Sequence, residues 1–343
     1  MSLLLLEGFD DGEWDSRWST FSVATGVGTN DAPIGQSFIT DRDVELKWTL
    51  PTGSADDTVT VGFWCKLEAT IISTAAEGNA PFRYRDGSTI HLNGRVTATG
   101  AIAMYRGSTL LGTSDAIFTA GSAVAHYIEI QMTIHDSTGA ITIMADNTEV
   151  LALTGIDTQN GGAAEINVIE FHEGTDDKTR IQISDIYVTN EVGDSPYNSF
   201  LGPLIVETLF PDGNGTDSDF TGSDADSTDN YLHVDESPTH DSDTSYVEST
   251  TNTNRDTYTF GALVSTTGAL RGIMATAVAK HGGGGDNILM STRPIATDHD
   301  SSAYALTAAY APVDHVWQIS PETSSAWTIA EVNDSEFGIE NTS

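Results

Sequence analysis

Two glutamates five residues apart, Glu165 and Glu170, come closest in this chain to the type and spacing of a catalytic pair. A pair of carboxylates can hydrolyse a glycosidic bond, one acting as nucleophile and the other as general acid and base. In a regular strand, however, an odd spacing places the two side chains on opposite faces. The spacing therefore favours the alternative interpretation, a solvent-exposed strand end without catalytic function.

Three aspartates, Asp212, Asp217 and Asp219, form the candidate metal site. Carboxylate oxygens separated by glycine and serine are the hard ligands that calcium prefers. The spacing does not match an EF-hand loop, and a solvated acidic loop is the alternative that we favour. Calcium is the cofactor that this pattern indicates, and the sequence indicates no other.

The segment Thr58–Leu67 predicts a strand in which Trp64 and Lys66 share one face and Cys65 lies on the other. Trp64 is the candidate glycan-binding residue because an exposed aromatic ring can stack on a sugar. A second domain that covers this face could equally bury it. Cys65 is predicted to be a small core residue, and a single cysteine excludes an intrachain disulfide.

Four arginines stand out in a run of short predicted strands that Asp-Gly and Asn-Gly turns interrupt: Arg83, Arg85, Arg95 and Arg106. They could meet an acidic ligand or subunit. The interpretation that we favour is a face that neutralises acidic neighbours within the protein.

The elements that must position these residues are strands. In HYIEIQMTIHD, apolar residues alternate strictly with polar ones, which is typical of a half-buried strand. In IQISDIYVTN the alternation changes phase, which predicts a bulge near Ser184-Asp185. The order of strand, short turn, strand, turn, long loop and strand resembles the second half of concanavalin A-like lectin and glucanase sandwiches. No window has a sustained helical period, so we predict an all-β protein.

The net charge of −36, from 50 acidic and 14 basic residues, argues against nucleic acid and anionic membranes as partners. It is also consistent with life in salty water, where screening weakens self-repulsion. The apolar run at Leu3–Leu6 is too short to span a membrane, and no basic residues precede it as they would in a signal peptide. We interpret it as a buried first strand.

Pro and Gly punctuation near residue 202 predicts a domain boundary. The expected architecture is two jelly-roll-like β-sandwich domains in series, with residues 1–202 concanavalin A-like. Residues 203–343 are expected to form a second sandwich that contacts a particle or partner.

Several stretches resemble structural proteins of tailed bacteriophages and related archaeal viruses: LLLLEGFDD, DIYVTN, VGDSPYNSFLGP, LIVETLFPDGNGTDSDFTGSDADSTDNYLHVDE and WQISPETSSAWTIAEVNDSEFGI. This resemblance implies a non-enzymatic virion protein, made in the host cytoplasm, that serves as capsid decoration, head fibre or tail component. Its partners would then be capsid or tail proteins, and many copies on a symmetric lattice would strengthen weak contacts, which predicts a homo-oligomer.

Two alternatives to the virion role stay open. One is a carbohydrate-binding module that attaches the particle to a host surface glycan. The other is a β-glucan-type glycosidase, because residues 165–170 resemble the Glu-x-Asp-x-x-Glu motif of laminarinase-type enzymes. The resemblance would make Glu165 and Glu170 the nucleophile and the acid/base. Asn167 replaces the aspartate of that motif, which removes the charge expected to tune the pair.

Overall fold

The structure is a computed structural model that describes residues 3–9, 17–18, 20–21, 27–28, 37–39, 45–67, 81–119, 122, 124–172, 181–193, 195–236, 240–283 and 286–342. The chain divides into two compact units. The first comprises Met1–Phe9 and Trp18–Val206, and the second comprises Asp10–Arg17 and Glu207–Ser343. The boundary expected near residue 202 lies a few residues before this division.

The described strands of the first unit are, in chain order, β1 (Leu3–Glu7), β2 (Thr20–Phe21), β3 (Val27–Gly28), β4 (Ser37–Ile39), β5 (Glu45–Thr49), β6 (Thr58–Leu67), β7 (Phe82–Asp86), β8 (Thr89–Val96), β9 (Ala101–Arg106), β10 (Thr109–Ala116), β11 (His126–Thr133), β12 (Gly139–Ala145), β13 (Thr148–Ile156), β14 (Val168–His172) and β15 (Ile181–Asn190). One sheet has the order β13-β12-β11-β6-β15-β4-β3, with β1 also paired to β15. The other, called here the second sheet, has the order β10-β9-β8-β7-β14-β5-β2.

Aromatic rings join the two sheets into a sandwich. The ring centroid of Phe63 on β6 lies 5.3 Å from that of Phe82 on β7 and 5.1 Å from that of Phe171 on β14. Full burial of a side chain of this size stabilises the fold by about 1.5–3 kcal/mol. The predicted all-β fold class, with antiparallel sheets, is confirmed. Cys65 is fully buried, as predicted, and burial raises the pKa of its thiol.

The predicted bulge in the last strand of this unit is confirmed. The register of β15 against β6 shifts between Ser184 and Tyr187, and Asp185 has a positive φ of 48°. The ring of Tyr187 lies over Gly62, where an added Cβ would come within 2.0 Å of Tyr187 Cε1. Its hydroxyl donates a hydrogen bond to the buried carboxylate of Glu129.

Residues 201–206, called here the strap, cross the outer face of the sheet that contains β11 and β15. The Gly202 N–H donates to Glu129 Oε1 at 2.9 Å, and the Val206 N–H donates to Asp185 Oδ1 at 2.7 Å. Both carboxylates are about 1% exposed. Two buried acceptors therefore hold the strap through its backbone.

The described strands of the second unit are β16 (Pro211–Ser218), β17 (Thr221–Gly222), β18 (Val247–Glu248), β19 (Arg255–Phe260), β20 (Ile273–Ala279), β21 (Asn287–Arg293), β22 (His299–Asp300), β23 (Tyr304–Ala305), β24 (Ala311–Trp317) and β25 (Glu336–Asn341). A sheet has the order β16-β19-β25-β21-β22, with β23 paired to β21, and β20-β24 and β17-β18 form two smaller sheets. A 3₁₀ turn spans Asn230–His233, and a short helix, Ile329–Asn333, begins with a capping box of Thr328 and Glu331.

The core of the second unit lies between its largest sheet and β20-β24, because Met290 on β21 and Phe337 on β25 share a buried cluster with Trp317 on β24. Trp327 joins the cluster and donates its indole N–H to the Trp317 carbonyl at 3.0 Å. Both tryptophans thus anchor the core of this unit. None of the described helices has the length and apolar content needed to span a membrane.

Arg17 belongs to the second unit although it is far from the rest of that unit in sequence. Its Nε donates to Asp314 Oδ2 on β24 at 3.1 Å, and its Nη2 donates to Thr276 Oγ1 on β20 at 3.1 Å. The guanidinium group is almost fully buried, with the side chain 2% exposed. One residue from the beginning of the chain thus fixes the two-stranded sheet.

Candidate functional site

Glu170 is a buried member of an ion-pair cluster. Arg83 Nη1 lies 2.6 Å from its Oε1, and Arg85 Nε lies 2.5 Å from its Oε2. The glutamate side chain is 0% exposed, so the interpretation of Glu170 as a solvent-exposed strand end is wrong. The reason is that neighbouring β7 supplies a cation for each carboxylate oxygen, and a paired carboxylate can be buried.

Glu165 lies apart from that cluster, before β14 begins. It is half-buried and contributes, together with Asp86, to the electrostatic environment of His91, whose pKa burial lowers. Asn167 donates to Asp86 Oδ1 at 2.8 Å and accepts from the Gly87 N–H at 2.7 Å, so its amide fixes the turn after β7. These contacts place Glu165 with His91, and Glu170 with two guanidinium groups that already use both its oxygens.

A row of polar side chains crosses five strands of the second sheet. Glu170 on β14 pairs with Lys47 on β5 and with Arg83 on β7. Arg83 in turn pairs with Asn93 on β8, which pairs with Tyr105 on β9. Directly opposed residues of antiparallel strands share a face. The aromatic residues Phe82 and Phe171 alternate with Arg83 and Glu170, so this face is the one opposite the core.

Four more residues occupy the same face one step along their strands, and together with the row they form what we call the basic face: Glu45, Lys47, Arg83, Arg85, Asn93, Arg95, Tyr105, Glu170 and His172. Among these described residues, four cations accompany two carboxylates. Lys47, Arg83 and Arg95 each make further interactions within the protein, and the net charge of the whole chain is −36.

Arg95 and Tyr105 form the end of the basic face on β8 and β9. The guanidinium carbon of Arg95 lies 4.1 Å from the centre of the Tyr105 ring, within the range of a cation–π contact. Arg95 Nε also donates to Asn93 Oδ1 at 3.1 Å, and Asn93 Nδ2 donates to the Gly107 carbonyl at 3.2 Å. These bonds hold a guanidinium plane, an amide and a phenol in fixed positions next to one another.

Burial on this face is graded. Arg83 and Arg95 are each 8% exposed and Asn93 is 2% exposed, whereas Lys47 and Tyr105 are half-buried. The row therefore has a buried middle and more accessible ends. Charged groups at low exposure interact more strongly with an ionic partner than they would in open solvent.

A metal ion is the other ligand that part of this face could hold. Glu45, Glu170 and His172 each offer one possible ligand atom, and these three atoms lie within 4.8 Å of one another. A cation there would compete with Arg83 and Arg85 for the oxygens of Glu170 and would be repelled by both guanidinium groups. The charge of the face thus suits an anion better than a metal ion.

Arg106, the fourth arginine noted in the sequence, is not part of the basic face. It forms an ion pair with the Asp157 carboxylate and donates to the Asp157 carbonyl at 3.4 Å. The interpretation as residues that neutralise acidic neighbours fits the contact of Arg106 with Asp157 and those of Arg83 and Arg85 with Glu170. Arg83 and Arg85 share Glu170, whereas Arg95 lies on β8 and bonds Asn93.

Trp64, the candidate glycan-binding residue, is covered by the strap. Its indole N–H donates to the Leu204 carbonyl at 3.1 Å, and its ring packs edge-on against Tyr127 with centroids 5.3 Å apart. The ring is half-buried. A segment of the same unit therefore occupies the face on which we expected a sugar.

The candidate calcium residues Asp212 and Asp217 lie in a strand, β16, so the expectation of an acidic loop is wrong for this stretch. Gly215 permits the pairing, because an added Cβ there would come within 2.4 Å of Thr257 Oγ1 on β19. Each aspartate already has a partner in its own unit: Asp212 accepts from the Thr259 hydroxyl, Asp217 pairs with Arg293, and Asp219 accepts from the Arg255 N–H. Within the described residues, the aspartates form no convergent set of three metal ligands.

Sequence reasoning missed several members of the basic face: Glu45, Lys47, Asn93, Tyr105 and His172. A usable signal was present in FRYRD, where Phe82 and Tyr84 alternate with two arginines. That alternation shows the arginines on the face opposite the core. It does not show which residues of β5, β8 and β9 lie beside them.

No family model matches the sequence. No curated protein matches it either. Among solved structures, it is similar to a sialidase (15% identity, TM-score 0.39, 56% of this chain and 19% of the other). It is also similar to the binding domain of Paraclostridial Mosquitocidal Protein 1 (11% identity, TM-score 0.40, 55% of this chain and 48% of the other). A third similar structure is domain 4 of AbnA, a GH43 extracellular arabinanase from Geobacillus stearothermophilus, in complex with arabinotriose (12% identity, TM-score 0.35, 55% of this chain and 94% of the other).

This chain thus spans about a fifth of the sialidase and about half of the mosquitocidal binding domain. Likeness this distant carries no conclusion about function.

Proposed function

We propose that the first unit binds an acidic saccharide on its basic face without catalysing a reaction on it. The observation that carries the proposal is the cross-strand row of Lys47, Glu170, Arg83, Asn93 and Tyr105, with Arg95 stacked on the tyrosine. This proposal develops the alternative of a carbohydrate-binding module for attachment to a surface glycan.

The donor groups of the face suit a carboxylated or sulfated sugar. Guanidinium groups bind carboxylate and sulfate-like oxygens with two parallel hydrogen bonds. The Tyr105 hydroxyl is of the type that bonds sugar hydroxyls. A neutral glycan would gain little from the cations, and Glu170, whose oxygens bind Arg83 and Arg85, is poorly placed to deliver a proton to a glycosidic bond.

The test is calorimetric titration of the full chain with tetragalacturonate and, in parallel, with the neutral maltotetraose. We expect binding of the acidic sugar alone, weakened about tenfold in Arg95→Gln, since a hydrogen bond to a charged group is worth roughly 1.5–3 kcal/mol. Arg106→Gln removes an arginine that lies off the face and should bind like the unmodified chain. Absence of binding, or equal binding of both sugars, would overturn the proposal.

The particle role is a second proposal, supported by the sequence resemblance to tailed-virus structural proteins. Immunogold labelling of purified particles tests it. Label on the head would indicate capsid decoration, and label on the tail would indicate a host-recognition component. Absence of the protein from particles would exclude the virion role and leave acidic-saccharide binding as a property of the protein alone.

A further inference from the structure

We infer that Asn160 is a site of spontaneous deamidation, at which the chain modifies itself without an enzyme. The backbone nitrogen of Gly161 attacks the side-chain amide carbon of Asn160, a C–N bond forms, and ammonia leaves. Water then opens the resulting succinimide ring and gives aspartate or isoaspartate. One water is consumed and one ammonia is released, so the reaction needs no oxidant or other co-reactant. This inference is independent of the proposed saccharide binding.

The dipeptide Asn-Gly occurs three times in the chain, at residues 93–94, 160–161 and 214–215. Glycine after asparagine favours closure of the succinimide ring, because it has no side chain to shield its nitrogen and its backbone rotates easily. Closure also requires the asparagine backbone to turn until the amide carbon meets that nitrogen. The local structure of each pair therefore decides whether it reacts.

The pair at residues 93–94 is fixed inside the second sheet. Both residues lie in β8, and Gly94 is paired with strands on either side, opposite Phe82 and Met104. Asn93 is 2% exposed, its Nδ2 donates to the Gly107 carbonyl, and its Oδ1 accepts from Arg95 Nε. A paired strand cannot turn as the reaction requires, so this pair should be protected.

The pair at residues 214–215 is fixed in β16 of the second unit. The Asn214 side chain is bonded at both ends, since its Nδ2 donates to the Thr228 carbonyl at 2.7 Å and its Oδ1 accepts from the Tyr231 N–H at 2.9 Å. Gly215 is packed so closely that an added Cβ would come within 2.4 Å of Thr257 Oγ1. This pair should be protected as well.

The pair at residues 160–161 lies in the connection between β13 and β14, and both residues are exposed. Gly161 has a φ of 79°, and no atom lies within 4 Å of an added Cβ there. Within the described ranges of the chain, no hydrogen bond uses the Gly161 N–H or Asn160 Oδ1. The attacking nitrogen and the amide under attack are therefore both accessible.

The restraint on the Asn160 side chain acts at one end only. Its Nδ2 donates to the Ile90 carbonyl at 3.0 Å, in an exposed bond, and its backbone N–H donates to His91 Nδ1 at 3.1 Å. An exposed hydrogen bond contributes little net free energy, because water replaces it when it breaks. The amide of Asn160 is thus freer to rotate than the amides of Asn93 and Asn214.

The product would alter the connection that leads into β14. Isoaspartate inserts one more carbon into the main chain, and either product lacks the amide that donates to the Ile90 carbonyl. The new carboxylate also forms in a segment where Asp157 and Asp86 already accept the N–H groups of Gln159 and Ala163.

The test is peptide mapping by mass spectrometry of the full chain, incubated at mildly alkaline pH either folded or unfolded in urea. The incubation lasts until the unfolded chain has largely deamidated. In the folded chain, Asn160 should react about tenfold faster or more than Asn93 and Asn214, which corresponds to a difference of about 1.4 kcal/mol in the barrier. In urea the three rates should agree within about threefold.

Two glycine variants show which nitrogen attacks. Gly161→Ala places a methyl group beside the nitrogen and should slow the reaction at Asn160 about tenfold. Gly155→Ala is the matched control, because Gly155 also has a positive φ, 66°, and open space around an added Cβ. It should leave the rate at Asn160 unchanged. If Gly161→Ala fails to fold, as judged by circular dichroism, the comparison of the three pairs in the unmodified chain decides the question.

Three results would overturn the inference. The first is an intact Asn160 in the folded chain while the unfolded chain deamidates. The second is a rate at Asn93 or Asn214 in the folded chain that equals the rate at Asn160. The third is a product that contains aspartate and no isoaspartate, since direct hydrolysis of the side chain gives aspartate alone.

Discussion

At the scale of single residues, Glu170 decides what kind of site the second sheet can offer. The same carboxylate that suggested hydrolysis in the sequence is held by Arg83 and Arg85 in the structure. Its negative charge offsets that of the buried Arg83 and the half-buried Arg85 and keeps both in place. Glu170 is therefore better described as the residue that positions the arginines than as one that reacts.

Glu170→Gln should destabilise the first unit by about 3–5 kcal/mol, because it leaves two low-exposure guanidinium groups without their charged partner. Urea-induced unfolding at pH 7, followed by circular dichroism, measures the change. Glu165→Gln is the matched control, since Glu165 forms no part of the arginine cluster, and its effect should stay within about 0.5 kcal/mol. A loss below 1 kcal/mol for Glu170→Gln would show that the cluster contributes little.

Glu336 on β25 makes the second unit sensitive to acid. Burial raises the pKa of Glu336, but hydrogen bonds from the Thr216 N–H and the Thr257 hydroxyl, each 2.7 Å long, bring it below the ordinary value of 4.5. A carboxyl whose pKa is lower in the folded state than in the unfolded state stabilises the fold above that ordinary value. The stabilisation is lost as the pH falls through the folded-state pKa.

Glu336→Gln should accordingly be less stable than the unmodified chain by about 1 kcal/mol at pH 7, with the difference shrinking between pH 5 and pH 3. Denaturant unfolding at a series of pH values gives this difference directly. For Glu248→Gln, which alters an exposed glutamate on β18, the difference should not vary with pH. A constant difference for Glu336→Gln as well would show that its hydrogen bonds do not depend on the charge.

At the scale of elements, the contact between β6 and β15 shows how a missing side chain shapes a sheet. Tyr187 lies over Gly62 and reaches Glu129, and Glu129 also accepts the Gly202 N–H of the strap. Because Gly62 has no Cβ, the Tyr187 ring can lie over it and reach Glu129, which in turn binds the strap.

Gly62→Ala should destabilise the first unit by about 1–3 kcal/mol, because its Cβ would overlap the Tyr187 ring and displace the hydroxyl from Glu129. Thermal unfolding measures the loss. Gly261→Ala is the control, since nothing lies within 4 Å of the added atom there, and it should be close to neutral. Equal midpoints for the two variants would mean that the sheet yields at Gly62 without cost.

The alternation of apolar and polar residues in the sequence predicted those elements in which buried and exposed positions alternate along one strand. The alternation of Ile128, Ile130 and Met132 predicted β11, and the phase change at Ser184-Asp185 predicted the bulge, because both are set by residues close in sequence. The same logic failed for residues 212–218. Their composition is that of a loop, and it is pairing with β19 that makes them a strand.

The basic face could be predicted only in part for a related reason. Arg83 and Arg85 share a face by their spacing, which the sequence contains. Their neighbours Lys47 and Tyr105 are placed by the register of separate strands, and register depends on long-range pairing that no short window encodes. The coverage of Trp64 by the strap is equally non-local, since the two residues of that hydrogen bond are 140 positions apart.

At the scale of the whole molecule, the net charge of −36 opposes folding through self-repulsion. Salt shortens the Debye length from about 10 Å at 0.1 M to about 3 Å at 1 M and should weaken that repulsion. We therefore expect the midpoint of thermal unfolding at pH 7 to rise by several degrees between 0.1 M and 1 M NaCl. A rise of about 2–4 °C corresponds to a gain of about 1 kcal/mol in the free energy of unfolding.

The control for this salt effect is the same comparison at pH 4, close to the isoelectric point of about 4.1, where little net charge remains to be screened. The rise in the midpoint should largely disappear there. An equal rise at both pH values would attribute the effect to salting-out and not to self-repulsion. A fall at pH 7 would mean that favourable ion pairs outweigh the repulsion.

The bond between Arg17 and Asp314 also bears on the order of events during synthesis. The two residues are 297 positions apart, and both belong to the second unit. At a translation rate of roughly 5–20 residues per second, Asp314 is made roughly 15–60 s after Arg17. The strands of the first unit up to β15 are complete well before that moment, so they can pair on the ribosome. The sheet β20-β24 must acquire its buried arginine after nearly the whole chain has been translated.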